Sequence, residues 1–162
     1  MENKTAQLAN GVEEIMDIYG NMLFRMCLIR LGNANDAEDA VQETMIKYVQ
    51  KNPYFKDAEH QKAWLIRVAS NKCKDIIRLK NKHLTVNIDE INEFTKDRSG
   101  SDIISALMTL PDKYKTVLIL HYVEGYDVRT IANAIGRTSS AVKMRLQKGR
   151  KLLAEAYRKE WI

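Results

Sequence analysis

Eight basic residues fall between positions 137 and 159: Arg137, Lys143, Arg145, Lys148, Arg150, Lys151, Arg158 and Lys159. They face one acid there, Glu155. Cations at that density suit a polyanion such as nucleic acid, and a solvated basic helix face is the competing explanation. A second polar set, Arg67, Asn71, Lys74, Asp75 and Arg78, recurs at offsets 0, 4, 7, 8 and 11, which places it along one side of a helix. A third set, Asp36, Glu38, Asp39, Gln42 and Glu43, is acidic in a chain that is basic as a whole.

Catalytic and metal chemistry lack comparable signals. His60, His83 and His121 have no ligand spacing to one another or to a cysteine. Cys27 and Cys73 form neither a CxxC pair nor a disulfide framework, and both sit in apolar helical patterns as buried thiols would. There is no Gly-rich phosphate loop, nucleophile elbow or marked carboxylate pair. The expectation is a non-enzyme with no metal and no cofactor.

The elements that must carry these sets are helical. The chain has 162 residues, 45% hydrophobic and 29% charged, with a net charge of +5 and only seven Gly and two Pro. That composition is globular and argues against a turn-rich β fold. Apolar steps of three and four run from Val12 to Cys27 and stop at Gly32-Asn33. Asp36 is a candidate N-cap for a second helix with Ala37, Ala40, Val41, Met45, Tyr48 and Val49 on one face, ended by Asn52-Pro53. A third helix, from about Glu59 to Lys82, turns Ala63, Ile66, Ala69, Cys73, Ile76 and Ile77 inward. The reading is all-α: a helical domain over residues 1–82, a polar linker over 83–100 and a second helical domain over 101–162. The linker holds Asp89, Glu90, Glu93 and Asp97 against Lys96 and Arg98, and its composition predicts flexibility.

In the last domain Asp127 and Thr138 are predicted N-caps, and Ala132, Gly136, Val142 and Leu146 follow helix-turn-helix spacing. A small residue lets the helices cross, glycine takes the turn, and apolar residues four apart anchor the second helix. The first turns of that helix would enter a major groove with Thr138, Ser139, Ser140, Lys143, Met144 and Arg145. Lys143 and Arg145 could address guanine or phosphate, while Arg137, Lys148 and Arg150 flank that face as phosphate contacts. The longest apolar run, Met22–Leu31, is interrupted by Arg25 and Arg30 and is too short to span a bilayer. Without an apolar leader after Met1, the expected location is cytoplasmic, with no membrane insertion.

Taken together, Asp36-Ala-Glu-Asp-Ala-Val-Gln-Glu-Thr-Met45, Ala63-Trp-Leu-Ile-Arg-Val-Ala-Ser-Asn-Lys72, Leu110-Pro111, Gly125-Tyr-Asp-Val-Arg-Thr-Ile-Ala132 and Ser140-Ala-Val-Lys-Met-Arg-Leu146 resemble the two modules of extracytoplasmic-function (group 4) sigma factors of the sigma-70 family. The resemblance spans about residues 11 to 158 and implies a subunit that binds core RNA polymerase and directs promoter-specific initiation. It implies that Asp36, Glu38, Asp39, Gln42 and Glu43 dock on the basic β′ coiled coil, as an acidic patch could; complementing the helix dipole is the plainer role of the first three. It implies that Tyr54, Phe55, Lys62, Trp64, Arg67, Asn71, Lys72 and Arg78 meet the melted −10 strand, which needs cations and ring surfaces, although Trp64 at helical spacing suits a core equally. The second domain would read the duplex −35 element and meet the β flap, and an anti-sigma factor is a further implied partner. Met45, the Arg129-Thr130 pair and Arg137 depart from the family's usual residues. Two other readings stay open from the residues alone: a helix-turn-helix regulator that binds an operator without polymerase, and a helical adaptor.

Overall fold

The computed structural model describes residues 9–80 and 101–160. Seven α-helices occur among the described residues: α1 (Val12–Leu31), α2 (Ala34–Lys51), α3 (Ala58–Lys80), α4 (Ser101–Met108), α5 (Asp112–Leu118), α6 (Val128–Ile135) and α7 (Ser139–Glu160). Helix α5 runs on as a π-helical turn over Ile119–Val123. No strand occurs among the described residues, as the periodicity predicts. The linker expected over 83–100 lies outside them.

Most of the predicted punctuation is where the chain chemistry puts it. Gly32 caps α1 in the left-handed region, donating its N–H to the Leu28 carbonyl. Asn52 closes α2 at φ 41, the one non-glycine residue with positive φ among the described residues. The α conformation is denied to a residue before proline, and asparagine tolerates the left-handed alternative. One cap is corrected. Helix α2 starts two residues earlier than Asp36, and Asn33 is its N-cap, its side-chain oxygen accepting from the Asp36 N–H at 3.0 Å. Asp36 is then a first-turn acid, where negative charge is favoured by the dipole.

The front three helices share a core of Ile15, Leu23, Met26, Cys27, Ala37, Ala40, Leu65, Ile66, Ala69 and Cys73. Met45 is buried there as well. Val49, expected on the apolar face of α2, is instead 63% exposed, and Ile77 is only half-buried. The Cys27 and Cys73 thiols meet inside this core. Their mutual hydrogen bond and burial hold the Cys27 thiol well above its ordinary value.

The end of α1 is buried all round, from Met26 through Leu31. A helix with no solvent face must have partners on every side. Helices α2 and α3 cover one flank, and α4 and α5 of the second group cover another. Arg30 crosses that junction. Its Nε and Nη2 donate to the two Asp112 carboxylate oxygens at 2.8 and 2.6 Å, and Nη1 donates to Ser70 Oγ at 2.7 Å. Lys115 Nζ donates to the Arg30 carbonyl at 3.0 Å. The π turn then delivers Glu124 to Arg25, which forms a second two-pronged pair at 2.8 and 2.9 Å.

Candidate nucleic-acid interface

The helix-turn-helix is built as its sequence specifies. Asp127 Oδ1 accepts from the Thr130 N–H at 2.8 Å, starting α6. That bond lowers the Asp127 pKa. Gly136 ends the helix at φ 68, and the Arg137 N–H returns to the Ala132 carbonyl at 3.0 Å. Thr138 Oγ1 accepts from the Ala141 N–H at 3.1 Å, starting α7. Ile131, Ala132, Val142 and Leu146 are buried between the two helices.

The outer side of α7 carries Ser139, Ser140, Lys143, Met144, Lys148 and Arg150, all exposed, with Arg137 and Thr138 exposed just before it and Arg145 half-buried. Met144 is 70% exposed, an apolar side chain held outside the core. The cations are not equally free to move. Arg150 Nη1 donates to the Tyr122 hydroxyl at 3.1 Å, and the Lys148 ammonium lies 6.0 Å from the Tyr114 ring centre. Gly149 allows this close approach of α7 to α5: a Cβ there would stand 3.2 Å from Leu118 Cδ1 and 3.5 Å from Tyr114 Cβ. The sequence signal is a glycine kept inside a helical pattern despite its cost in helix propensity.

The residues expected at the melted strand divide among several places. Arg67, Asn71 and Arg78 share one exposed side of α3. Tyr54 projects from the loop at 88% exposure, whereas Phe55 is 6% exposed. Phe55 stacks parallel to Tyr48 with centroids 6.3 Å apart and meets Trp64 edge-on at 5.7 Å. Half-buried Trp64 is thus part of an aromatic cluster, and Tyr54 alone of the three rings is free. Lys62 pairs with Glu59 at 3.1 Å and lies 4.7 Å from the Tyr126 ring centre, in the second helical group. Lys72 departs furthest from the set. It turns away from Arg67 to line a groove of about 350 Å³ with Asp36, Asp39, Gln42, Glu43 and Lys80. Five helical positions from Arg67 is about 140° around the axis, so the two cannot share a face.

That groove gathers the acidic set. Exposed Ile46 and Leu79 add apolar walls, and Lys80 pairs with Asp36 at 2.5 Å. Glu38 is exposed on the same helix but is not among the groove's lining residues.

The side of α3 that carries Arg67 meets the second helical group. Helix α6 packs on α3, and Arg67 Nη2 donates to the Asn133 carbonyl at 2.5 Å. Between them lies a cleft of about 810 Å³ whose lining mixes Lys56, Arg67, Arg129 and Arg137 with the carboxylates of Asp57, Glu59 and Asp127. In this closed arrangement Arg67 stays exposed but is engaged by the second helical group. Sequence reasoning missed the junction: Arg25 and Arg30 read as interruptions of an apolar run. No helix among the described residues is long and apolar enough to cross a membrane.

Two family descriptions match this architecture: Sigma-70 region 2 over residues 15–83 and Sigma-70 region 4 over residues 101–153. RNA polymerase sigma factor SigV of Bacillus subtilis is 31% identical over 85% of this chain and 85% of its own length. The ECF RNA polymerase sigma factor SigW of the same organism is 27% identical over 90% and 88%. Among solved structures, the sigma factor RpoE in complex with the anti-sigma factor NepR from Bartonella quintana superposes with a TM-score of 0.69 at 20% identity, covering 90% of this chain and 96% of that one. CnrH in complex with the cytosolic domain of CnrY gives 0.68 at 22%, covering 88% and 84%. The paired modules and these likenesses agree: the chain belongs to the sigma-70 family, in its extracytoplasmic-function class, and is a sigma factor that associates with RNA polymerase in promoter recognition.

Proposed function

We propose that the front helices bind the polymerase β′ coiled coil with one side and the melted −10 strand with the other, while α6 and α7 read the duplex −35 element. One observation carries the reading: the acidic groove of α2 and the Arg67–Asn71–Arg78 side of α3 belong to one helical group but face apart. Opposed electrostatic surfaces let a basic protein partner and a polyanion bind together without competing. On this reading Lys72 and Lys80 moderate the acidic groove, Tyr54 is the ring available to an unstacked base, and Lys143 with Met144 leads the groove-reading set. The domain limits follow the function, with residues 1–82 for polymerase and −10, 83–100 as connection and 101–162 for −35 and the β flap. The chain works in the cytoplasm, where polymerase and promoters are, and supplies binding and no catalysis of its own.

In the closed arrangement Arg67 is tied to the Asn133 carbonyl, so on this reading its use by the promoter requires the two groups to part. An anti-sigma factor that holds them together, or replaces one contact by its own, would keep the factor inactive. The test is core association of the charge-reversed Asp39→Lys/Glu43→Lys chain, followed by run-off transcription. Loss of both supports the docking assignment; full core association by this variant removes it.

A further inference from the structure

At the junction of the two helical groups lies a cavity of about 250 Å³ that shares Arg67 and Arg137 with the larger cleft. Arg67 and Lys74 of α3 enter it from one side, and Lys113, Arg137 and Arg145 from the other. Its floor is the buried Arg30, already paired with Asp112. Among the described residues Asp112 is the only carboxylate lining the cavity, and both its oxygens accept from Arg30. No ion pair with a described residue engages Lys74, Lys113, Arg137 or Arg145. Five cations therefore converge on one small space with their nearest carboxylate already taken.

Like charges brought together repel, and more strongly beside a protein wall than in water. For DNA binding alone the two sets need not meet, since each would face a different promoter element. They converge only in the closed arrangement, which is then stabilised by any compact anion that fits. Beside the cations, the Asn71 amide adds to a lining suited to phosphate oxygens, while the Thr116 hydroxyl already donates to the Asp112 carbonyl at 2.8 Å. The volume equals that of about eight water molecules in the liquid, enough for a short phosphate chain and too small for a duplex. We propose that this cavity is a binding site for an oligophosphate, either free or as the tail of a nucleotide, and that its occupant holds the factor closed. Because both groups supply ligating cations, affinity for the anion and closure are linked reciprocally.

The test uses the full chain, with inorganic tripolyphosphate and a nucleoside triphosphate as probes in calorimetry. The expected result is saturable one-to-one binding, weakened about tenfold by Lys74→Ala and again by Lys113→Ala, one from each group. Removing Lys151, on the outer side of α7, should change affinity less than about twofold. Equal affinity for the two probes assigns recognition to the phosphates, and tighter binding of the nucleotide adds a base contact; both support the site. Energy transfer between dyes on α2 and α7 should rise with tripolyphosphate in the parent chain. Multiple weak binding insensitive to Lys74 and Lys113, or saturable binding with unchanged dye separation, overturns the proposal.

Discussion

Arg30 and Asp112 stand 82 positions apart and share two hydrogen bonds, yet they are unequally placed: the arginine side chain is fully buried, while that of the aspartate is 22% exposed. Burial alone would penalise the Arg30 cation, but the Asp112 hydrogen bonds outweigh it and its pKa is raised. The guanidinium is therefore compatible with the closed arrangement only while its carboxylate is there.

Removing that carboxylate should open the molecule more than it unfolds either group. Breaking a buried pair from one side costs about 3–5 kcal/mol, and the partial exposure of Asp112 points to the lower end. Arg30 can escape the penalty by reaching water as the groups part. Asp112→Ala is expected to increase the radius of gyration by small-angle scattering with little change in helix content. The double replacement Arg30→Met/Asp112→Leu should recover part of the compactness. An unchanged radius for the single variant would show that the pair does not hold the junction.

Closure should also rise with pH in two separate windows. Burial would raise the Asp112 pKa, but Arg30 and Lys115 bring it below its usual 3.8. Its contribution is present above the open-state value and lost as pH falls through the lower, closed-state value. Burial lowers the Lys115 pKa from 10.5, against the attraction of Asp112. The open form then holds its proton more firmly, so closure strengthens as pH climbs toward 10.5. Dye separation measured against pH should show both limbs, and Lys115→Met should erase the alkaline one only.

Gly149 gives a prediction whose sign depends on size. An alanine gains about 1 kcal/mol of helix propensity, but its Cβ would press Leu118 Cγ at 3.3 Å. These effects nearly cancel, so Gly149→Ala should stay within about 1 kcal/mol of the parent in urea unfolding. Gly149→Leu has no such room and should lose roughly 1–3 kcal/mol by overpacking α7 against α5. Equal stability of the two variants would mean that α7 can shift away from α5 at little cost.

The sequence made helix faces and their caps legible because both are local. Thr138 and Asp127 cap by bonds to residues three positions on, and Val142 and Leu146 find the core through a four-residue step. Asp36 was misplaced as a cap because Asn33, equally able to cap, precedes it in the same polar run. What no local pattern shows is which face of one group meets another. Arg30 was read as a charge breaking an apolar stretch, when its partners lie 40 and 82 positions away. The resemblance groups Lys72 and Phe55 with the residues at the melted strand; in the fold, helix phase sets Lys72 on the acidic groove and packing sets Phe55 against Tyr48.

Position along α7 predicts a division between base reading and phosphate holding. Lys143 and Met144 lie near the start of the helix, both exposed. Arg150 is braced by the Tyr122 hydroxyl and Lys148 lies near the Tyr114 ring, two turns or so further along. A braced cation suits a fixed phosphate, whereas an unbraced lysine beside an exposed thioether suits a base edge and a thymine methyl. Lys143→Ala should therefore reduce discrimination among −35 sequences by roughly 1–3 kcal/mol. Arg150→Ala should weaken every sequence alike and reduce the slope of log affinity against log salt by about one. Holoenzyme binding to a panel of single-base −35 variants at several salt concentrations measures both effects. If Arg150→Ala changes the ranking of sequences while Lys143→Ala shifts them all equally, the two roles are exchanged and the helix enters the groove further along its length.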